Sequence, residues 1–130
     1  MIARTVLSAM LIAVTSTAHA FEISFNWDGL KLCNDGFAKT VMSPEFKLKD
    51  VPEGTKFIKF KMVDTNVPQY NHGGGTVEYS GGNTVAPGEF KYKSPCPPGG
   101  SHIYEWTATA QSEKNGGKLG VAKAQRRYPD

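Results

Sequence analysis

Short stretches of alternating apolar and polar residues, separated by turn residues, restrict what this chain can fold into more than any other feature. In FEISFNW, the apolar residues Phe21, Ile23, Phe25 and Trp27 fall on one side of an extended strand, and KFIKFKMVD repeats the pattern. This two-residue period is that of half-buried β-strands. GTVEYS, EFKYK and HIYEWTATA are further predicted strands, and Gly, Pro, Asp and Asn are frequent between them. We therefore predict a mainly β protein, either a sandwich or a partly open barrel.

Two terminal segments differ from this pattern. Near the N-terminus, a basic start with Arg4 precedes an apolar run over residues 6–14, and Ala18-His19-Ala20 is an A-x-A cleavage signal. We expect a signal peptide over residues 1–20, a single domain over residues 21–130, and a periplasmic or secreted location; the alternative is a retained amphipathic anchor. No other stretch reaches the roughly 18 apolar residues of a membrane helix. Near the C-terminus, residues 119–127 are the only predicted helix, and a final strand is the alternative for this segment.

The charge of the chain is small and evenly distributed. The formal net charge is +3, and removal of Arg4 lowers it by one. Arg126 and Arg127 form the only cluster. This is not the basic patch of a nucleic-acid-binding protein, so no nucleic-acid partner is expected. A mildly basic domain is compatible with small anions or anionic headgroups.

The chain has two cysteines, Cys33 and Cys96. In an exported protein an even number of cysteines favours a disulfide, and the alternative is two unpaired thiols. Closing a loop of about 60 residues would stabilise the fold by roughly 4 kcal/mol in the chain-entropy model.

Three polar side chains fall where a ligand could be bound. The alternation in KFIKFKMVD continues its apolar face onto Asp64, and a carboxylate there needs hydrogen bonds. Asp64 is therefore either a turn cap or a pocket carboxylate. In HIYEWTATA, His102 and Tyr104 lie side by side on one face. They would either hold one ligand or form a surface ladder.

His72 precedes Gly73-Gly74-Gly75, a run that lets backbone N–H groups approach an anion. Esterases use a similar stretch in their oxyanion hole, but this chain lacks the G-x-S-x-G nucleophile motif that they require. The spacing of Asp64, His72 and His102 matches no metal-ligand pattern. We therefore expect no metal and no cofactor.

Four segments resemble the phosphatidylethanolamine-binding proteins, and they occur in the order of that family. They are SPEF from Ser43, VPEGTKFIKFKMVDTNVP over residues 51–68, His72, and YKSPCPPGGSHIYEWTATA over residues 92–110. The most specific is SPCPPGGSHIYEW, which is similar to the family's G-P-C-P-P-x-G-x-H-x-Y-x-F signature with Ser94 in place of the glycine. The chain resembles a short secreted member of the bacterial, Raf-kinase-inhibitor-like branch.

This resemblance implies a sandwich of two antiparallel sheets with little helix and a small pocket for phosphate-like anions at one end. Both histidines and the tyrosine would donate to phosphate oxygens, the carboxylate would orient a histidine, and the prolines would form a rigid wall. Carried over residue by residue, the pocket comprises Asp64, His72, Pro97, Pro98, His102 and Tyr104. Here an amide, Asn66, replaces one family carboxylate, and Gly73-Gly74-Gly75 replaces an apolar strand. The loop between His72 and Tyr92 is short and the helical part expected after Ala110 is largely absent, so we expect a shallower or more open pocket.

The function implied is that of a non-enzymatic, exported binding protein for a small phosphate- or carboxylate-bearing ligand, such as a phospholipid headgroup. The first alternative is an inhibitor or interaction protein acting on an exported or host partner, because a periplasmic protein would not meet a cytosolic kinase. The second is a hydrolase that uses Asp64 and the two histidines for acid–base catalysis.

Overall fold

The computed structural model describes residues 2–3, 5–12 and 19–130. Arg4 and Ala18, on which the predicted signal peptide partly depends, lie outside the described residues, so that segment stays a prediction. The large apolar side chains between Ile2 and Ile12 are 80% to 96% exposed, so the folded core makes no use of them. In the described part of the chain, no helix is long and apolar enough to span a membrane.

In the described part of the chain, nine strands, all paired antiparallel, form the fold. A four-stranded sheet has the order β5-β4-β8-β9, a three-stranded sheet the order β1-β3-β6, and β2 pairs with β7. The strands are β1 (Glu22–Ser24), β2 (Thr40–Met42), β3 (Phe46–Lys49), β4 (Phe57–Asp64), β5 (Gly74–Glu78), β6 (Thr84–Val85), β7 (Lys91–Lys93), β8 (His102–Glu113) and β9 (Gly116–Tyr128).

The core lies between the two larger sheets. Phe46 of β3 stacks on Phe60 of β4 at a ring-centroid distance of 4.2 Å and meets Trp106 of β8 edge to face at 5.2 Å. Alternate side chains of β4 and β8 are buried, as a half-buried strand requires. The side chains of β4 and β8 that are at most 1% exposed are Ile58, Phe60, Met62, Tyr104, Trp106, Ala108 and Ala110. The predicted antiparallel β-sandwich is thus confirmed.

The predicted helix over residues 119–127 is wrong, because this segment belongs to β9. It pairs with β8 through most of its length, with Ala122 opposite Ala108 and Ala124 opposite Trp106. Alanine, lysine and glutamine are good helix formers, but intrinsic propensity is a weak preference that tertiary contacts override. Pairing with the long strand β8 outweighs that preference. A tight turn at Lys114 joins β8 to β9.

The glycine run contributes a strand, β5, that only small residues could form. A Cβ on Gly74 would overlap the carbonyl oxygen of Phe60, and one on Gly75 would lie 2.6 Å from Cβ of Phe90. A side chain at Gly74 would therefore keep β5 from reaching β4, and one at Gly75 would displace Phe90. The N–H of Met62 also donates to the Gly73 carbonyl at 3.1 Å. These contacts fix the residues that directly follow His72.

Cys33 and Cys96 form a disulfide, which confirms the predicted pairing. The bond ties the loop after β1 to the segment before β8. Next to it, Gly99 N–H donates to the Asn34 carbonyl at 3.2 Å, and Pro98 lies 3.2 Å from the Cβ position of Gly36. The proline-rich turn is therefore anchored on the loop of residues 33–36.

Candidate functional site

The ends of β4 and β8 bring three predicted site residues together. Asp64 lies directly opposite Tyr104 in the sheet, and His102 lies two residues before Tyr104 on the same face. His102 Nδ1 is 2.6 Å from Asp64 Oδ2. The side-by-side arrangement predicted from the alternation is therefore present, and the carboxylate contacts the histidine ring directly.

Asp64 is both a turn cap and a partner of His102. Its Oδ1 accepts hydrogen bonds from the backbone N–H groups of Asn66 at 2.8 Å and Val67 at 3.3 Å, while its Oδ2 faces His102. The residue is only 4% exposed, and three donors satisfy its buried charge. Because a carboxylate accepts, His102 Nδ1 carries a proton, and Nε2 is the ring nitrogen left for a ligand. The His102 side chain is 20% exposed.

His72 is held by the backbone of β7. Its ring Nδ1 lies 2.8 Å from the Lys93 carbonyl and donates to it, and its own carbonyl accepts from Lys93 N–H at 2.8 Å. Burial lowers the pKa of His72, and the Lys93 carbonyl and the Asp64 charge offset this effect only in part. In the neutral ring Nε2 is an acceptor, so donation to an anion requires an additional proton.

Tyr104 is the common neighbour of both histidines. Its ring meets His72 edge to face at a centroid distance of 5.5 Å and lies nearly parallel to His102 at 6.3 Å. The residue is 1% exposed. Burial, together with the negative charge of Asp64, raises the pKa of Tyr104 well above its ordinary value. Its hydroxyl therefore stays protonated throughout the physiological range.

The two predicted wall residues, Pro97 and Pro98, differ in position. Pro97 is fully buried, whereas Pro98 is exposed and packs against Gly36. The turn thus has one proline in the interior and one against the disulfide-bonded loop.

Sequence reasoning missed two residues, one beside His72 and one opposite Tyr104. The Tyr70 ring packs on His72 at a centroid distance of 4.6 Å and is 44% exposed, so it covers the buried histidine. Arg126 lies opposite Tyr104 on β9, so Asp64, Tyr104 and Arg126 form one row across three strands. The alternation of β9 could have identified Arg126, but the composition of that segment favours a helix. Tyr70 lies in a loop and gives no such signal.

The candidate site is compact. A cleft of about 320 Å³ lies next to it, lined by residues of β4 and by Asn71 and Gly73, but not by the two histidines. A second cavity, described below, is also separate from them. With Asp64, His72 and Tyr104 each at most 4% exposed, His102 is the accessible part of the site.

One group of potential metal ligands occurs within residues 2–3, 5–12 and 19–130. It consists of Cys33, Asp35 and Cys96. Both sulfurs are joined in the disulfide, so neither is available as a thiolate ligand in the oxidised protein.

Comparison of the sequence with family models and with curated proteins gives no match. Two solved structures are similar to the chain. One is YbcL of E. coli, described as a new member of the mammalian PEBP family, with a TM-score of 0.60. The other, with a TM-score of 0.56, is a Chlamydia trachomatis protein described as a homologue of the phosphatidylethanolamine-binding proteins. Each is 16% identical, and each match covers 85% of this chain and 98% of the other.

The fold is therefore that of the phosphatidylethanolamine-binding proteins. This agrees with the resemblance of the motifs, which was based on the sequence. At 16% identity the likeness shows the fold, and a function has to be argued from the site itself.

Proposed function

We propose that this chain is an exported, non-catalytic binding protein for a small phosphate- or carboxylate-bearing ligand, such as a phospholipid headgroup, and that the ligand binds at His102. The observation that carries the proposal is the 2.6 Å contact between His102 Nδ1 and Asp64 Oδ2. Because the carboxylate occupies Nδ1, it fixes the ring and keeps Nε2 free for the ligand.

The charges around His102 favour an anion. The Asp64 carboxylate is already satisfied by two backbone N–H groups and by His102. In its charged form His102 presents an Nε2–H donor, and hydrogen bonds between charged groups are the stronger ones. Arg126 lies in the same row as Asp64 and Tyr104. Its guanidinium already contacts the Phe25 carbonyl at 3.4 Å and the Asp130 carboxylate at 3.5 Å, so the proposal does not depend on it. His72, Pro97 and Pro98 belong to the proposed pocket through the resemblance of the motifs. Pro97 is fully buried, and Pro98 packs on the disulfide-bonded loop.

The absence of catalysis is part of this proposal. An Asp–His pair is also the arrangement of a general base, and this favours a hydrolase as the second candidate. However, the Cys96 sulfur is bonded to Cys33, and the Ser94 hydroxyl is 1% exposed and accepts the Lys39 N–H at 3.0 Å. Neither is an available nucleophile. We expect no turnover of nitrophenyl phosphate or nitrophenyl acetate, and turnover that disappears in His102→Gln would establish the hydrolase instead.

Export is supported by the predicted leader and by the disulfide, which persists in oxidising compartments. After expression of the full coding sequence in a bacterial host, the mass of the protein in the periplasmic fraction is measured. We expect a chain that begins at Phe21. A full-length protein that remains in the cytoplasm with free thiols would contradict export.

Binding is tested by NMR titration of the purified protein with phosphate, phosphoethanolamine and acetate, following the ring signals of His72 and His102. We expect saturable shifts of the His102 ring signals. The comparison of acetate with phosphate shows whether the site recognises carboxylates, phosphates or both. His102→Gln should abolish these shifts. The matched control is Thr107→Ala, which lies on the same strand but on its outer face. If no ligand shifts either ring at millimolar concentration, the anion-binding proposal is wrong.

A further inference from the structure

A cavity of about 850 Å³ lies apart from the histidine site. The loop after β1, residues 26–35, forms one side, and the ladder of β2 and β7 with residues 43–45 forms the other. Its volume falls within the range of small-molecule binding sites. Neither His72 nor His102 contributes to its lining, so the anion site does not account for it.

The walls of this cavity include apolar side chains that the fold itself leaves open to solvent. Leu32 is 68% exposed and Met42 is 57% exposed, and both line the cavity. Partly buried Trp27, Leu30 and Val41 continue the same lining. Exposed apolar side chains that converge on one concave surface are typical of a binding site.

Tyr92 supplies a polar group at this surface. It is 5% exposed, lines the cavity, and packs edge to face on Trp106 at a centroid distance of 4.9 Å. The neighbouring hydroxyl of Tyr128 has two partners, since it donates to the Lys31 carbonyl and accepts from Cys33 N–H. The Tyr92 hydroxyl, in contrast, has no hydrogen-bond partner among the described residues.

The Tyr92 hydroxyl is accessible from the cavity. Among residues 2–3, 5–12 and 19–130, Trp106 Nε1 is the one fully enclosed side-chain nitrogen or oxygen without a partner. The Tyr92 oxygen is therefore not enclosed, and we take its open side to be the cavity that the residue lines. Burial raises the pKa of Tyr92, so the group remains a donor at physiological pH. A ligand with an acceptor would satisfy it.

The charges at the rim disfavour an anion. Asp35 and Lys39 pair with each other at 2.7 Å. The other charged residues of the lining are two acids, Asp28 and Glu45, and one base, Lys31. The cavity thus has a small excess of negative charge and disfavours anions, whereas the proposed site at His102 favours them.

We propose that this cavity is a second binding site, for a small and predominantly apolar molecule that has no negative charge and carries a hydrogen-bond acceptor. The apolar body covers Leu32 and Met42, and the acceptor meets the Tyr92 hydroxyl. The inference is independent of the proposed anion site, because it uses different residues and the opposite charge preference.

The test uses prodan, an uncharged fluorescent ketone, and anilinonaphthalene sulfonate, an anion of similar size. Protein purified after expression of the full coding sequence is titrated with each dye. We expect saturable prodan binding and weaker binding of the sulfonate. Tyr92→Phe keeps the ring packing but removes the donor, and should weaken prodan binding about three- to tenfold. Absence of saturable prodan binding, an unchanged affinity in Tyr92→Phe, or tighter binding of the sulfonate would overturn the proposal.

Two further variants locate the dye. Leu32→Ser alters an exposed cavity wall and should weaken binding, whereas Leu119→Ser changes an exposed leucine on β9, outside the cavity, and should not. Since both side chains are exposed, neither variant is expected to unfold the protein. His102→Gln should leave the prodan affinity unchanged. If it abolishes binding, the dye occupies the anion site and the second-site proposal is wrong.

Discussion

The carboxylate of Asp64 holds together the end of β4, the following turn and the ring of His102. It accepts from Asn66 N–H, Val67 N–H and His102 Nδ1–H, and it is 4% exposed. Asp64→Ala would leave all three donors without this partner. Asp64→Asn has nearly the same shape, and its amide oxygen can still accept the two backbone bonds, but it has no charge to offer His102.

The expected loss follows from these contacts. Removing one partner of a buried ion pair costs about 3–5 kcal/mol, but the His102 side chain is 20% exposed, so water replaces part of the interaction. We expect Asp64→Ala to lower the free energy of unfolding by about 3 kcal/mol and Asp64→Asn by about 1–1.5 kcal/mol. The difference between the two variants reports chiefly the two turn hydrogen bonds, which the asparagine side chain would keep and the alanine side chain would lose.

The assay is urea unfolding of the oxidised protein, with both variants measured beside Thr107→Ala as a control for β8. With typical urea slopes of about 1–3 kcal/mol/M, the loss in Asp64→Ala moves the midpoint by about 1–3 M. A loss below about 1 kcal/mol in Asp64→Ala, or equal losses in the two variants, would refute the hydrogen-bonding role assigned to the carboxylate.

Three other predictions concern the elements around the site. The pKa of His72 is lower in the folded than in the unfolded protein. The stabilisation that comes from the neutral ring is therefore fully present above pH 6.5 and decreases as the pH falls below it. His72→Asn can still donate to the Lys93 carbonyl and should make the melting temperature less sensitive to acid. Gly74→Ala should destabilise by more than about 2 kcal/mol, because its Cβ would overlap a backbone oxygen of β4, and an unchanged melting temperature would contradict the close approach. Replacing Cys33 and Cys96 by serine should cost up to about 4 kcal/mol for a sequence separation of 63, and a loss near zero would show that the loop closure contributes nothing.

The alternation of the sequence was sufficient to predict part of the site. It placed Asp64 and Tyr104 on inward faces, and the register of β4 against β8 puts them opposite each other. Two long strands with a strict two-residue period leave little freedom for another pairing, because a shift by one residue would expose the whole apolar face. The position of Asp64 therefore followed from local pattern alone.

Other elements depend on tertiary contacts that the sequence does not display. The two-residue strand β6 exists only as a partner of β3, and β9 is a strand because β8 pairs with it, despite residues that favour a helix. Arg126 was missed for the same reason. The apolar cavity could not be predicted either, since it forms where the loop of residues 26–35 faces the β2–β7 ladder.

The three residues of β7 connect the two proposed sites. The side chain of Tyr92 lines the apolar cavity, while the carbonyl of the next residue, Lys93, holds the ring of His72. Among the described residues, β7 has β2 as its one ladder partner, and the hydrogen bonds between Lys93 and His72 hold its other edge. A pair of three-residue strands has little rigidity on its own. The disulfide adds a further constraint, because Cys96 follows β7 closely in the chain and its partner Cys33 belongs to the cavity wall. Both sites therefore depend on the position of β7. The ladder to β2 fixes the strand itself, and the disulfide fixes the proline-rich turn that follows it.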